Sequence, residues 1–415
     1  MTKVRTAYPV YLIMAGCAAL FFSIFATFSS VYRIQDAGLN PFQLLLVGTV
    51  LELAVFLFEI PTGIVADVYS RRRSIIIGMF LIGAGFMLEG AFPILITILL
   101  AQVVWGVGYT FTSGAEQAWI VDELGEQGIG RVYMRGAQVG QIGTLLGIGA
   151  SVAIASIQLN LALLVGGALY VLLGVFLLLV MPENNFQRVS SSERTSFQNM
   201  GDTLRGGLGA VRGSPVLITL LIVGLIWGAA SEGFDRLWEA HLLENFTFPA
   251  LGDLDMIYWF GIINAVAMLL SLGVTEVARR RIDTDSHIAA AKALLGINVL
   301  MSASVLVFAL AGDFVLALAG FWAVATLRRV NQPIYAAWLN QNLTARIRAT
   351  VFSIAEQADS FGQVLFGPVI GVIATLGSLR IAMATIAVFA LPQAALYLRS
   401  LRGRPGAPAL KTRID

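Results

Sequence analysis

Twelve stretches of this chain run for about 20 residues or more with almost unbroken apolar side chains, the length a helix needs to cross the hydrocarbon core of a bilayer. They cover 9–32, 42–66, 74–92, 94–120, 133–157 and 161–181, and then 215–241, 254–278, 287–311, 314–340, 350–376 and 380–401. Membrane β-strands would show segments of about ten residues with alternating polarity, and these runs do not alternate. The fold class that follows is all-α: a polytopic membrane protein of twelve transmembrane helices. Only 13% of residues are charged and 57% are hydrophobic, where a soluble domain has about a quarter charged. That excludes a soluble enzyme, a disordered regulator and a nucleic-acid binder, and a net charge of +2 offers nucleic acid little.

An even number of crossings puts both termini on one side. Loops on that side hold most of the 27 Lys and Arg, including Lys3, Arg5, Arg71 to Arg73, Arg131, Arg135, Arg279 to Arg281, Arg346 and Arg348. Arg33 and Arg380 are on the other side. The positive-inside rule makes the termini cytoplasmic. Lys3, Arg5 and the Met14-Ala-Gly-Cys17 sequence have the look of a lipoprotein signal, but the apolar run continues to Ser29 and reads as a first span. One cysteine, Cys17, excludes an internal disulfide, and with only His241 and His287 besides it no zinc site is expected.

The longest polar stretch, 182–214, separates six spans from six and reads as a cytoplasmic linker between bundles at 1–181 and 215–401, with a tail at 402–415. Its 195–212 portion could lie on the membrane as an amphipathic helix. The halves look related. A shift of 219 positions lays Ala118-Trp119 on Ala337-Trp338, Leu124 on Leu343 and Gly143 on Gly362. Gly63 likewise has a counterpart in Gly273, each followed by three arginines. A parallel repeat of this kind is expected of a transporter with its site near the midplane between the halves.

The loop between spans two and three reads Gly63-Ile-Val-Ala-Asp67-Val-Tyr-Ser-Arg71-Arg72-Arg73. With the 6+6 pattern, it resembles the major facilitator superfamily, whose hallmark is Gly-x-x-x-Asp-x-x-x-Arg-(Arg/Lys) at this place. Physically, Gly63 would let helices approach closely, and Asp67 could cap a neighbouring helix. The resemblance implies that Asp67 docks at the start of span eleven, near Ala349 and Thr350, and that Arg71 pairs with Asp122 at the end of span four. Together these contacts would form a conformational latch. The chain also departs from the proton-coupled drug exporters of that family. Gln102 stands where they carry arginine ahead of Gly106-Val-Gly108, and their Gly-Pro signature in span five is absent, a Gly367-Pro368 pair occurring in span eleven instead. Both departures weaken a drug–proton antiporter assignment.

Ionisable residues inside a bilayer are costly and mark function by default. Glu59, Arg328, Arg329 and Glu356 are expected ~8 Å from the cytoplasmic face, as an inner charge cluster or gate. Glu52 and Asp359 fall near mid-depth and, with Glu232 in the outer leaflet, are the proton-coupling candidates. Asp235 and Glu239 are expected at the outer edge and in the headgroups, bridged by Arg236. Gln102, Trp105, Tyr109, Trp227, Asn264, Asn331 and Gln332 are candidates for lining a substrate cavity. No Walker A sequence occurs, so ATP hydrolysis is not expected.

The reading is a secondary transporter of the plasma membrane that exports a small molecule by proton exchange, acting as a monomer, without cofactor or metal and not as an enzyme. Proton-driven or passive uptake is the alternative. A membrane enzyme or a non-transporting receptor or scaffold would be of a different class.

Overall fold

The computed structural model describes residues 4–186, 215–250, 256–340 and 345–402. Among them the chain forms helices and no strand. The first seven are α1 (Val4–Gln35), α2 (Pro41–Val68), α3 (Arg71–Ala91), α4 (Leu95–Thr112), α5 (Ala115–Leu124), α6 (Ile129–Ala155) and α7 (Leu159–Val180). Then come α8 (Pro215–Asn245), α9 (Met256–Arg281), α10 (His287–Leu310), α11 (Phe314–Asn340), α12 (Ala345–Leu376) and α13 (Leu379–Arg402). Eleven crossings, with α4 and α5 counted together, are long and apolar enough to span a membrane. The twelfth is α8, whose 31 residues also suffice and whose Glu232 and Glu239 are buried in protein.

Local sequence sets the helix starts. Asn40 and Gln43 form a reciprocal capping box ahead of α2 with Pro41 in its first turn, and Ser70 and Ser286 cap α3 and α10. Pro61, Pro333, Pro368 and Pro392 lie inside helices. Helices in membranes tolerate this because neighbouring groups satisfy the freed carbonyl. The fourth crossing, expected to be continuous over 94–120, is broken at Ser113 and Gly114. Gly114 has φ +69°, a conformation glycine adopts without steric cost, and α5 restarts beyond it.

The helices fall into two compact units, residues 1–200 with 249–264 and residues 201–248 with 265–415. The start of α9 therefore groups with the first unit, where Gly261 faces Val152 of α6; the sequence had placed it with the second bundle. The 195–212 segment and most of the tail lie outside the described residues.

Lipid offers no hydrophobic drive for helix pairing, so close backbone contact takes its place. A Cβ on Gly143 of α6 would strike the Gly16 carbonyl of α1, and one on Gly362 of α12 would strike the Leu225 carbonyl of α8. These are the two glycines that the 219-residue shift superposes. The same shift maps Glu89 onto Phe308, and each carbonyl there is held from the first helix of its own unit. Tyr32 Oη donates to Glu89 O at 2.8 Å, and His241 Nε2 is bonded to Phe308 O at 3.0 Å. Since a carbonyl only accepts, the His241 proton is on Nε2.

Candidate functional site

The second unit groups charges on α8, α11 and α12, Glu232 buried and Asp235 exposed. On α8, Glu232 is 3% exposed and accepts a hydrogen bond from Arg236 Nε at 2.9 Å. One turn on, Asp235 receives the guanidinium fork of Arg328 from α11, with Nη2 to Oδ2 at 2.8 Å and Nη1 bonded to Oδ1. The Trp227 ring centroid lies 5.8 Å from the same guanidinium, a cation–π contact. On α12, Asp359 is half-buried and accepts from the Gln363 amide at 3.3 Å. The charges acting on it are those of Arg328, Asp235 and Glu232. Gly228 of α8 makes room for it: a Cβ there would meet Asp359 Oδ1 at 2.7 Å and collide with its carbonyl.

The set thus comprises three carboxylates and two guanidiniums. Among the described residues Arg236 bonds Glu232, Arg328 bonds Asp235, and Asp359 has a neutral partner in Gln363. Glu239, three residues beyond Arg236 on α8 and also buried, adds a further carboxylate beside the set.

This arrangement differs from the inner cluster read from the sequence. Arg328 pairs with Asp235 instead of Glu356. Arg329 and Glu356 are exposed, and neither makes an ion pair among the described residues. Glu59 accepts from Ser113 Oγ at 3.2 Å. The reason lies in helix length. Arg328 is ~18 Å along α11 from the Asn340 end, and α8 continues a turn beyond His241, which leaves Asp235 ~15 Å from its end. The two meet well inside both helix ends, with Asp235 half exposed. Glu239, expected in the headgroups, is likewise buried, at 5% exposure.

The first unit holds an ion pair that the sequence reading missed. Arg33 of α1 and Glu89 of α3 are 3% and 0% exposed, with Nε to Oε1 at 2.7 Å and Nη2 to Oε2 at 3.1 Å. Gln102 Nε2 donates to the same carboxylate at 2.8 Å, and Trp105 Nε1 donates to Gln102 Oε1 at 2.9 Å. Gln102 and Trp105, expected in a substrate cavity, are therefore held in a buried network. The available signal was an acid and a base at the same end of two spans in one half.

Arg71 in the loop motif donates to Asp122 at 2.6 Å, and Asp67, half exposed, lies 3.6 Å from Arg71. Arg73 is exposed, and its backbone N–H donates to the Ser70 cap. Arg72 holds the end of α7 through the Leu178 and Met181 carbonyls at 2.5 and 2.7 Å. Just beyond, Glu183 accepts from Ser70 Oγ and the Arg72 N–H, while Glu123 accepts from the N–H groups of Asn184 and Asn185. The loop thus fastens the beginning of the linker. A Cβ on Gly63 would meet nothing within 4 Å among the described residues, so the structure does not require glycine there for close approach. The expected docking place of Asp67, around 349–350, has no described side chains.

The other candidates are dispersed. Glu52 on α2 is partly buried and engaged, and Tyr109 is 47% exposed. Asn264 bonds its own helix at Phe260 O, Asn331 is buried and Gln332 is exposed. Trp227 and Arg328 border a water-sized cavity of about 30 Å³ inside the second unit, together with Ser231, Phe234, Met301 and Ser302.

The family model described as Major Facilitator Superfamily matches residues 11–355. A Bacillus subtilis (strain 168) protein described as an uncharacterized MFS-type transporter, YxaM, is 24% identical over 398 residues, covering 90% of this chain and 94% of its own. Among solved structures, the nucleoside transporter NupG superposes with a TM-score of 0.75 at 13% identity, covering 96% of this chain and 100% of that one. A bacterial homologue of the human lysosomal transporter Spinster, inward-facing and unoccupied, gives 0.72 at 15% identity, with 96% and 97% covered. At such identities the two structures speak to fold alone.

Proposed function

The chain belongs to the Major Facilitator Superfamily, and from that membership we propose that this multi-pass membrane transporter exports a small molecule across the plasma membrane in exchange for protons, by alternating access. The observation that carries the proton coupling is the charge balance around Asp359. Among the described residues Glu232 and Asp235 accept from Arg236 and Arg328, whereas Asp359 accepts from the neutral Gln363 amide. Charge deep in a membrane protein is costly, so a proton that comes and goes on Asp359 changes the charge of the cluster by one. Such a switch biases whichever conformation better solvates the charged form.

The distribution of Lys and Arg supports placing the termini, the Arg71 loop and the linker in the cytoplasm. Asp67, Arg71 and Asp122 then act as a latch on that face. Export is favoured over uptake, and Gln102 supports the second reading, since an amide bonded to Glu89 occupies the place where related exporters carry arginine. The test is transport in proteoliposomes under an imposed pH gradient, screened across cationic, neutral and anionic compounds. Accumulation that reverses when the gradient is inverted is expected for an exchanger. Uptake that ignores the gradient contradicts proton coupling.

A further inference from the structure

Among the side-chain oxygens inside the second unit that are sealed from solvent and have no hydrogen-bond partner among the described residues are Ser302 Oγ, Asn298 Oδ1, Asn331 Oδ1, Tyr335 Oη and Tyr397 Oη. Ser302, Asn331, Tyr397 and Asn298 are each at most 4% exposed, and Tyr335 is half-buried. Native interiors satisfy nearly all such groups, with ordered water where protein partners are missing. Five orphans within one six-helix unit therefore call for a common explanation.

Their positions supply one. Counted at 1.5 Å per residue, Tyr397 and Tyr335 are each ~7 Å from the Arg402 and Asn340 helix ends, and Asn331 is ~13 Å in. Asn298 and Ser302 lie ~16 and ~22 Å from the His287 end of α10, which is on the same side. Tyr335 lies within electrostatic range of both Tyr397 and Asp359. At the deep end, Ser302 and Arg328 line the water-sized cavity. Asp359 is faced by Glu232 and Asp235 from α8, by Arg328 and Tyr335 from α11 and by Gln363 on its own helix.

We infer that these five groups coordinate a file of internal waters, running from the Asn340–Arg402 end of the second unit to Asp359, and that the file carries the coupling proton. The inference rests on the reading that Asp359 is the proton carrier. Each hop breaks one O–H bond and makes the next, so a proton enters at the tyrosine end, another arrives on the Asp359 carboxylate, and no other group changes.

Hydroxyl-radical footprinting in oxygen-18 water tests the waters without any transport. Tyr397 is as buried as Tyr32, at 1% exposure each, but Tyr32 is bonded to a carbonyl. Labelling of Tyr397 well above Tyr32 is expected, and equal protection of the two overturns the file. The second arm uses Tyr335→Phe, Tyr397→Phe and Asn298→Leu, which keep shape and remove the polar group. Gradient-driven transport should fall about tenfold or more, as loss of a proton-transfer step does, while substrate counterflow persists. A labelled Tyr397 with unchanged gradient-driven rates overturns the conducting role. If Asp359→Asn leaves gradient-driven transport intact, the reading of Asp359 as carrier has failed, and the footprint alone then decides whether the waters exist.

Discussion

Replacing Arg33 by methionine removes one side of a pair that has no access to water. Glu89 is 0% exposed and takes three hydrogen bonds, from Arg33 Nε at 2.7 Å, Arg33 Nη2 at 3.1 Å and Gln102 Nε2 at 2.8 Å. Arg33→Met leaves Glu89 with the Gln102 bond alone and an uncompensated charge, which costs about 3–5 kcal/mol. Glu89→Gln strands the guanidinium instead, at a cost of the same order. In the double variant neither charge is left, so the losses must not add, and a coupling of about 2 kcal/mol or more is expected. The assay is reversible unfolding of the four proteins in mixed micelles, read as a double-mutant cycle. The Arg71–Asp122 pair serves as a comparison: its side chains are 16% and 23% exposed, and its coupling should be about 1 kcal/mol or less. Additive losses for Arg33 and Glu89, or a larger coupling at Arg71 and Asp122, would refute the argument from burial.

Gly228→Leu should abolish transport while Gly149→Leu is tolerated, because a Cβ at 228 collides with Asp359 and one at 149 meets nothing within 4 Å; transport by the two variants at matched expression checks this. Ser70→Ala should cost about 1 kcal/mol of stability through loss of the α3 cap and of the Glu183 contact. It should also raise protease sensitivity at 187–214, read by limited proteolysis. Asp67→Asn should shift the resting population toward inward-open, and accessibility labelling that finds wild type and variant alike would remove the latch.

Twelve crossings, the repeat and the loop motif were legible because they depend on length, periodicity and spacing, which the sequence states directly. The Gly143 and Gly362 equivalence was legible for the same reason, as both glycines serve one backbone approach repeated in two units. The partner of Arg328 was not. Depth along one helix says nothing about which face it turns, and a single extra turn at the end of α8 is enough to carry Asp235 into its reach. Glu89 and Arg33 stand at the same end of two spans, a signal the sequence carries, but only packing shows that the two side chains meet. Gln102 was singled out by comparison with relatives, yet its role here is set by Glu89 and Trp105, contacts that only packing reveals.

The central claim is that Asp359 carries the coupling proton, and one substitution in one preparation tests it most directly. Asp359→Asn, reconstituted in proteoliposomes, should lose substrate accumulation driven by a pH gradient and keep counterflow exchange of substrate at equal pH. Full gradient-driven accumulation by Asp359→Asn would contradict the account. The same result with Glu52→Gln would leave neither mid-depth acid as the carrier.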